Sequence, residues 1–140
     1  ASRIRDIHVM LQKEVVERMV AAPADSNYGR LSVMLQYQFE MEKLFDVPAV
    51  AFTPAPKVES AVVRLTPWRP PPCVARDQAL FARIVAAAFS QRRKTLRNSL
   101  RSFVGQSDFD ALKIAPSARA QELSVAQFVA LADRAGFGDR

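Results

Sequence analysis

The chain has few of the side chains that many enzymes use for chemistry. Its 140 residues include one cysteine, Cys73, and one histidine, His8. A single cysteine excludes a disulfide framework within the chain and fits a reducing compartment, which predicts a cytoplasmic protein. No serine–histidine–acid set can be assembled around His8, which lies in an apolar run, and no histidine–cysteine cluster offers metal ligands. The sequence therefore predicts neither a catalytic side chain nor a metal site.

Long apolar runs and glycine-rich loops are also scarce. The most prominent apolar run, Ile84 to Phe89, has six residues, whereas about 20 are needed to span a bilayer, so no membrane partner is expected. The one Gly-x-Gly pair, Gly136 and Gly138, follows a helical pattern. A nucleotide-binding loop follows a strand and opens a helix, so this pair does not predict a cofactor site.

Acidic residues are absent from one long stretch of the chain. Between Gln78 and Ser107 there is no aspartate or glutamate. The basic residues of this stretch are Arg83, Arg92, Arg93, Lys94, Arg97 and Arg101. They account for the whole net charge of +6, because the remaining charges balance. Concentrated positive charge is typical of a protein that binds a polyanion such as RNA or DNA.

The spacing in this stretch predicts a helix from about Arg92 to Phe103. At about 100° per residue, one face of the helix would be apolar and the adjacent face basic. The apolar face would hold Phe89, Leu96, Leu100 and Phe103, and the basic face Arg93, Lys94, Arg97 and Arg101. The basic face is either a solvated surface or a contact for nucleic acid. Solvated faces usually carry acids one turn away, and arginine suits phosphate, so nucleic-acid contact is favoured.

The pattern along the chain predicts an α/β portion followed by an all-helical portion. Strands are expected at 7–11, 44–47 and 58–65, with helices at 12–22 and 31–39. A strand and then a helix at the start is typical of an alternating β/α fold. Four prolines mark residues 67–76 as an extended linker.

Residues 77–140 then show helical periodicity throughout. Helices are expected to begin at Asp77 and near Arg92, and two more at Ser107 and Ser124. Asp110 and Gln127 complete capping boxes for the last two, which are expected to end at Ala115-Pro116 and at Gly136.

Phe52 lies on a stiff loop that leads into the last predicted strand. Pro54 and Pro56 fix their own φ angles and restrict the residues before them, so the loop loses little entropy on ordering. A flat side chain on such a loop suits holding another flat group. The other interpretation is that Phe52 caps a core, and residue type alone favours burial.

Several segments together resemble the KsgA/RsmA-type small-subunit ribosomal RNA adenine dimethyltransferases. They are IRDIHVMLQKEVVERM (4–19), YGRLSVM (28–34), FTPAPKVESAVVRL (52–65), FSQRRKTLRNSL (89–100) and RAQELSVAQF (119–128). The resemblance covers essentially the whole chain and implies an α/β plus α architecture. Residues 1–66 would be the carboxyl-terminal portion of a Rossmann-like methyltransferase domain whose final strand is antiparallel. Residues 67–76 would be the linker, and 77–140 a small helical RNA-binding domain.

The resemblance also implies a function. The family dimethylates N6 of two adjacent adenosines in small-subunit ribosomal RNA during ribosome maturation, with S-adenosylmethionine as donor. Phe52 would stack on the flipped target base. The implied RNA contacts are Arg92, Arg93, Lys94, Arg97, Arg101, Lys57 and Arg30. For Lys57, Arg64 and Arg30, salt bridging at the surface is an equally open interpretation. The target amine attacks the donor methyl in line, so positioning carries the catalysis without a catalytic side chain.

Parts of the family pattern have no counterpart in this chain. These are the glycine-rich donor loop, the acidic residue for the ribose and the Asn-Leu-Pro-Tyr motif, which the resemblance places in a missing amino-terminal part. The chain alone is therefore expected to bind no donor and to be inactive. Its half-sheet is expected to self-associate through residues 1–66. Two alternatives remain: a non-enzymatic nucleic-acid or ribosome-binding module, and an adenine methyltransferase for large-subunit RNA.

Overall fold

A computed structural model describes residues 5–51 and 58–138 as a three-stranded sheet with helices. The elements are β1 (Ile7–Gln12), α1 (Lys13–Val20), α2 (Arg30–Gln38), β2 (Phe39–Val47), β3 (Ser60–Pro67), α3 (Gln78–Ser90), α4 (Leu96–Ser99), α5 (Gln106–Leu112) and α6 (Val125–Gly138), with 3-10 turns at Ala49–Ala51 and Ala120–Glu122. The predicted strands and helices before the linker are confirmed. β2 begins at Phe39 rather than Leu44, because Phe39 and Met41 alternate with glutamates and pair with β3.

The sheet has the order β1-β3-β2, and β3 is antiparallel to both neighbours. An antiparallel final strand is what the resemblance predicts. Alternate β3 residues, Ala61, Val63 and Leu65, are buried against α1, where Val16 and Met19 complete a small core. The β-branched run thus forms a strand with one face buried against α1.

The other face of the sheet carries an apolar row. Met10 and Phe45 both lie beside Val62 in the register, on either side of β3. A register shift between Lys43 and Phe45 places Phe45 on this face. Met10 and Phe45 are 50% and 55% exposed, so no described residue covers the row.

A larger core lies among the helices of the second half. Its fully buried side chains include Phe81, Ile84, Phe109, Phe128 and Leu131. The side chain of Asp77 accepts a hydrogen bond from the Leu80 N–H at 3.0 Å, so Asp77 caps α3 as predicted.

The ends of the last two helices are partly as predicted. Ser124 and Gln127 form the capping box of α6 through hydrogen bonds of 2.9 and 3.2 Å. The box predicted for Ser107 with Asp110 is wrong. The Asp108 carboxylate accepts the Gly105 N–H instead, at 2.9 Å, so α5 begins one residue earlier.

The predicted carboxyl ends of these helices are also wrong. α5 stops at Leu112, before Ala115-Pro116, because Lys113 adopts a left-handed conformation with φ 58°. α6 continues through Gly136 to Gly138. Gly136 has no positive φ, so nothing in its backbone ends the helix there.

Residues 67–76, predicted to form an extended linker, bend at 69–70 and at 72 and are held in place by specific contacts. The Trp68 indole Nε1 donates to the Gln36 carbonyl at 2.9 Å, and the Arg76 N–H donates to Asp133 Oδ1 at 3.0 Å. Tyr28, Val33 and Tyr37, which precede the linker, belong to the helical core. The division of the chain into domains at 67–76 stays a prediction. In the ranges that the structure describes, no helix is long and apolar enough to cross a membrane.

Candidate nucleic-acid interface

The helix predicted from Arg92 to Phe103 is confirmed only over its middle third and is wrong over its first and last thirds. Residues 91–95 form a turn, closed by a hydrogen bond of 3.0 Å from the Lys94 N–H to the Gln91 carbonyl. α4 spans only Leu96–Ser99 and is followed by further turns. The N–H groups of Leu96 and Arg97 donate to the carbonyls of Ala118 and Pro116, at 2.8 and 3.0 Å. These tertiary contacts replace the helical hydrogen bonds that a longer helix would need.

Electrostatics also disfavours the longer helix. It would stack Arg93, Arg97 and Arg101 one turn apart, and like charges at that spacing destabilise a helix. The four residues predicted to form the apolar face still pack against the core, although the backbone is not one helix. Leu96 and Leu100 are fully buried, while Phe89 and Phe103 pack against the core with part of their surface exposed.

The turn divides the basic residues between two concave surfaces. The first, here called the arginine cluster, comprises Arg18, Arg30 and Arg92 around a concavity of 340 Å³. Arg92 Nη2 donates to the Tyr28 carbonyl at 3.3 Å. Arg18 pairs with Glu14 at 2.6 Å. In the described part of the chain, Arg30 and Arg92 have no carboxylate partner. The cluster therefore keeps net positive charge on an exposed surface.

Local hydrogen bonds fix the loop that carries this cluster. The Ser32 hydroxyl donates to the Arg18 carbonyl and accepts the Gly29 N–H, the latter at 3.1 Å. The Ala24 N–H donates to the Gln121 carbonyl at 2.6 Å. Tyr28, in the same loop, is fully buried, and burial raises the pKa of its hydroxyl to about 12. Arg30, at the first position of α2, thus extends from a rigid framework.

The second surface, here called the arginine groove, has a volume of 690 Å³. Arg97 and Arg101 line it, together with Thr95, Asn98, Val104, Gly105, Gln106, Phe109, Pro116 and Ser117. Both arginines are exposed, and no acid is among the described residues that line the groove. The groove presents two unneutralised guanidinium groups beside neutral hydrogen-bonding side chains.

The remaining predicted site residues fall elsewhere. Arg93 and Lys94 are exposed in the turn and line neither concavity. Phe52 and Lys57 lie outside the described residues, so their roles stay predictions. Arg64 forms a surface salt bridge with Glu42 across the sheet.

Sequence reasoning missed Arg18 as part of the basic surface. Arg18 joins Arg30 and Arg92 only because α1 packs on α2, and no local pattern signals that contact. His8 is exposed on β1, with Nε2 3.6 Å from an Asp6 carboxylate oxygen. Nowhere in residues 5–51 and 58–138 do three or more His, Cys, Asp or Glu side chains converge to hold a metal ion.

Comparison with known proteins gives consistent matches. A family model described as ribosomal RNA adenine dimethylase matches residues 1–136. Two proteins named Ribosomal RNA small subunit methyltransferase A, from Thiobacillus denitrificans and Aromatoleum aromaticum, are 62% and 58% identical to this chain over 131 residues. The matches cover 94% of this chain but 51% and 49% of those proteins, so the chain spans about half the length of the curated relatives it matches.

Two solved structures share the fold. A dimethyladenosine transferase from Plasmodium falciparum superimposes with a TM-score of 0.79 at 24% identity, over 91% of this chain and 56% of that one. The 23S rRNA methyltransferase ErmE superimposes with a TM-score of 0.65 at 24% identity, over 95% of this chain and 55% of that one.

Proposed function

This chain belongs to the ribosomal RNA adenine dimethylase family, and on this premise we propose that the whole protein dimethylates N6 of two adjacent adenosines in small-subunit ribosomal RNA. The observation that carries the proposal is the family match over residues 1–136, together with relatives up to 62% identical that are named as small-subunit methyltransferases. Those names also favour small-subunit RNA over large-subunit RNA as the target. The partner is then the immature small ribosomal subunit.

In this proposal, the residues of this chain bind the RNA and hold the target base. The arginine cluster and the arginine groove offer positive charge that acids in their linings do not neutralise, which suits phosphate. Arg93 and Lys94, exposed in the turn between the two surfaces, add to the same positive field. Lys57 and Arg30 are also proposed to contact RNA phosphates.

Phe52 is assigned the stacking of the flipped adenine. A base must leave its helix before an enzyme reaches its exocyclic amine, and an aromatic ring stabilises a base that has left its stack by about 1–3 kcal/mol. In the transfer, a bond would form between adenine N6 and a methyl carbon as the bond from that carbon to its leaving group breaks in line, and N6 would lose a proton to water. This chain contributes orientation to that step, since a held geometry supplies much of the rate acceleration of such a transfer.

S-adenosylmethionine supplies the methyl group in this proposal. The described residues of this chain do not fit a donor site of the family kind, which needs a glycine-rich loop between a strand and a helix. Gly29 and Gly105 each precede a helix, but neither follows a strand. No step of the reaction is therefore assigned to donor-binding residues here.

The test is methylation by the full-length protein. Small ribosomal subunits from cells that lack the enzyme would be incubated with the protein and S-adenosylmethionine, and the RNA nucleosides would be analysed by mass spectrometry. We expect N6,N6-dimethyladenosine at two adjacent positions. Its absence would overturn the proposed activity. Methylation of large-subunit RNA instead would support the alternative target.

A further inference from the structure

We propose that a cavity between β2, the linker and α6 binds a small aromatic molecule that carries one positively charged amino group. The cavity, here called the linker cavity, has a volume of 410 Å³, and Glu40, Trp68 and Cys73 are among the residues that line it. Cavities that bind small molecules have volumes of about 300–1,000 Å³. The linker cavity shares no residue with the arginine cluster or the arginine groove. Binding there goes beyond the proposed function and does not depend on it.

Three parts of the chain that are distant in sequence meet at the linker cavity. Phe39 and Met41 line it from β2, Trp68 and Cys73 from the linker, and residues 124–126 from the start of α6. A molecule in the cavity contacts a site that exists only in the folded chain. Binding of this kind raises the free energy of unfolding, so it should also raise the melting temperature.

The walls of the linker cavity suit a flat apolar group. Phe39, Met41, Trp68 and Cys73 are each only partly buried, so part of their surface is available to a ligand. Aromatic rings and sulfur atoms both pack favourably against an aromatic ring. Burial raises the pKa of the Cys73 thiol, so the thiol stays neutral at neutral pH and adds apolar surface rather than charge.

Hydrogen bonds hold the Trp68 ring in place before a ligand binds. The indole Nε1 donates to the Gln36 carbonyl at 2.9 Å, and the Trp68 backbone N–H donates to the Gln38 carbonyl at 3.3 Å. The side-chain Nε2 of Gln36 donates to the carbonyls of Met19 and Ala21, both at 2.8 Å. A ring that is already fixed loses little entropy on binding, which favours affinity.

The charge of the lining favours a cation. Glu40 is the one charged residue among the described residues that line the linker cavity, although the chain as a whole has a net charge of +6. Glu40 is exposed and has no ion-pair partner in the part of the chain that the structure describes. A cationic amino group is attracted both by a carboxylate and by the face of an indole ring. A phosphate group is repelled by the same carboxylate, so RNA does not fit this cavity.

Calorimetry with three indole derivatives of similar size and different charge tests the inference. The full-length protein, without RNA or methyl donor, would be titrated with tryptamine, tryptophol and indole-3-propionate, which are cationic, neutral and anionic. We expect tryptamine to bind about 3- to 30-fold more tightly than tryptophol, because its ammonium group adds an exposed ion pair and a cation–π contact. Indole-3-propionate should bind most weakly.

Glu40→Gln removes the charge and keeps the shape of the side chain. It should abolish the preference for tryptamine over tryptophol and leave the affinity for tryptophol unchanged. Glu42→Gln is the matched control, because Glu42 lies two residues further along β2 and does not line the linker cavity. This control should keep the preference.

Ala126→Phe fills the linker cavity from an exposed position and should weaken the binding of tryptamine and tryptophol alike. Ala111→Phe adds the same ring at an exposed position on α5, outside the cavity, and should have no effect.

Alkylation of Cys73 by iodoacetamide, followed by mass spectrometry of the peptide that contains it, shows where the bound molecule lies. Tryptamine should slow the alkylation of Cys73 in wild type and in Glu42→Gln. At the same concentration it should slow the alkylation less in Glu40→Gln.

Absence of tryptamine binding up to millimolar concentration would overturn the inference. Equal affinities for the three indoles would do so as well, since they would show an apolar cleft without selectivity for charge. Tighter binding of indole-3-propionate would assign the cavity to an anion instead. Tryptamine binding that leaves the alkylation of Cys73 unchanged and is insensitive to Ala126→Phe would place the molecule elsewhere on the protein, and the inference would be wrong.

Discussion

The Tyr37 hydroxyl accepts a hydrogen bond from the Ala75 backbone N–H at 3.0 Å, which ties α2 to the end of the linker. The Tyr37 ring also packs against Phe81 of α3, with ring centroids 4.5 Å apart. The other tyrosine, Tyr28, has a buried hydroxyl with no hydrogen-bond partner among the described residues. Both tyrosines are thus buried, but the Tyr37 hydroxyl is hydrogen-bonded whereas the Tyr28 hydroxyl has no partner among the described residues.

This contrast predicts opposite effects of removing each hydroxyl. Tyr37→Phe leaves the buried Ala75 N–H unpaired and should lower the free energy of unfolding by about 1–3 kcal/mol. Tyr28→Phe removes an unpaired buried polar group and should leave stability unchanged or raise it. Thermal and urea unfolding of the two variants measure this. An equal loss in both would show that the Ala75 hydrogen bond is not the cause.

Tyr28 also predicts a loss of stability at alkaline pH. Burial raises its pKa from 10.0 to about 12, so folding disfavours the phenolate. The stabilising contribution of the neutral phenol is fully present below about pH 10 and is lost as the pH rises through about 12. Tyr28→Phe should therefore flatten the fall of melting temperature over this range.

The ion pairs of Lys13 are also sensitive to high pH, and their effect on stability must be separated from that of Tyr28. The carboxylates of Asp46 and Glu59 raise the pKa of Lys13, so its ion pairs are also lost at high pH. This loss occurs equally in wild type and in Tyr28→Phe, so the difference between their pH profiles isolates Tyr28. The difference in phenolate absorbance between wild type and Tyr28→Phe at alkaline pH measures the titration of Tyr28 directly. Identical profiles would contradict the burial argument.

The sequence is informative where structure depends on local pattern. The β-branched run of β3, the Asp77 cap and the Ser124–Gln127 box were all predictable, because each depends on neighbouring residues. The break before α4 was not, since it depends on carbonyls of residues 116–118 that capture the N–H groups of Leu96 and Arg97. The same long-range contact separates the two basic surfaces. From the sequence alone, the spacing of Arg93, Arg97 and Arg101 predicts a single basic helix face.

Phe52→Ala in the full-length protein tests the proposed stacking platform. Loss of about 1–3 kcal/mol of base stacking should lower kcat/KM for methylation by about 5- to 150-fold. RNA binding should change little, because the phosphate contacts supply most of the affinity. Phe52→Tyr keeps the aromatic face and should retain most activity. Unchanged turnover in Phe52→Ala would exclude this role.

The uncovered face of the sheet predicts self-association of this chain when it is purified alone. Met10 and Phe45 are half exposed in one apolar row with Val62, and β1 pairs with β3 alone among the described strands. An apolar row beside an open strand edge favours pairing with another copy. Sedimentation should therefore show a dimer or larger species at micromolar concentration.

Met10→Ser with Phe45→Ser should shift the association equilibrium toward monomer. Leu31→Ser removes an apolar side chain that is 41% exposed on α2 and is not part of the apolar row, so it should leave the association unchanged. A monomeric wild type at that concentration would contradict the prediction, and an equal shift with Leu31→Ser would place the contact elsewhere.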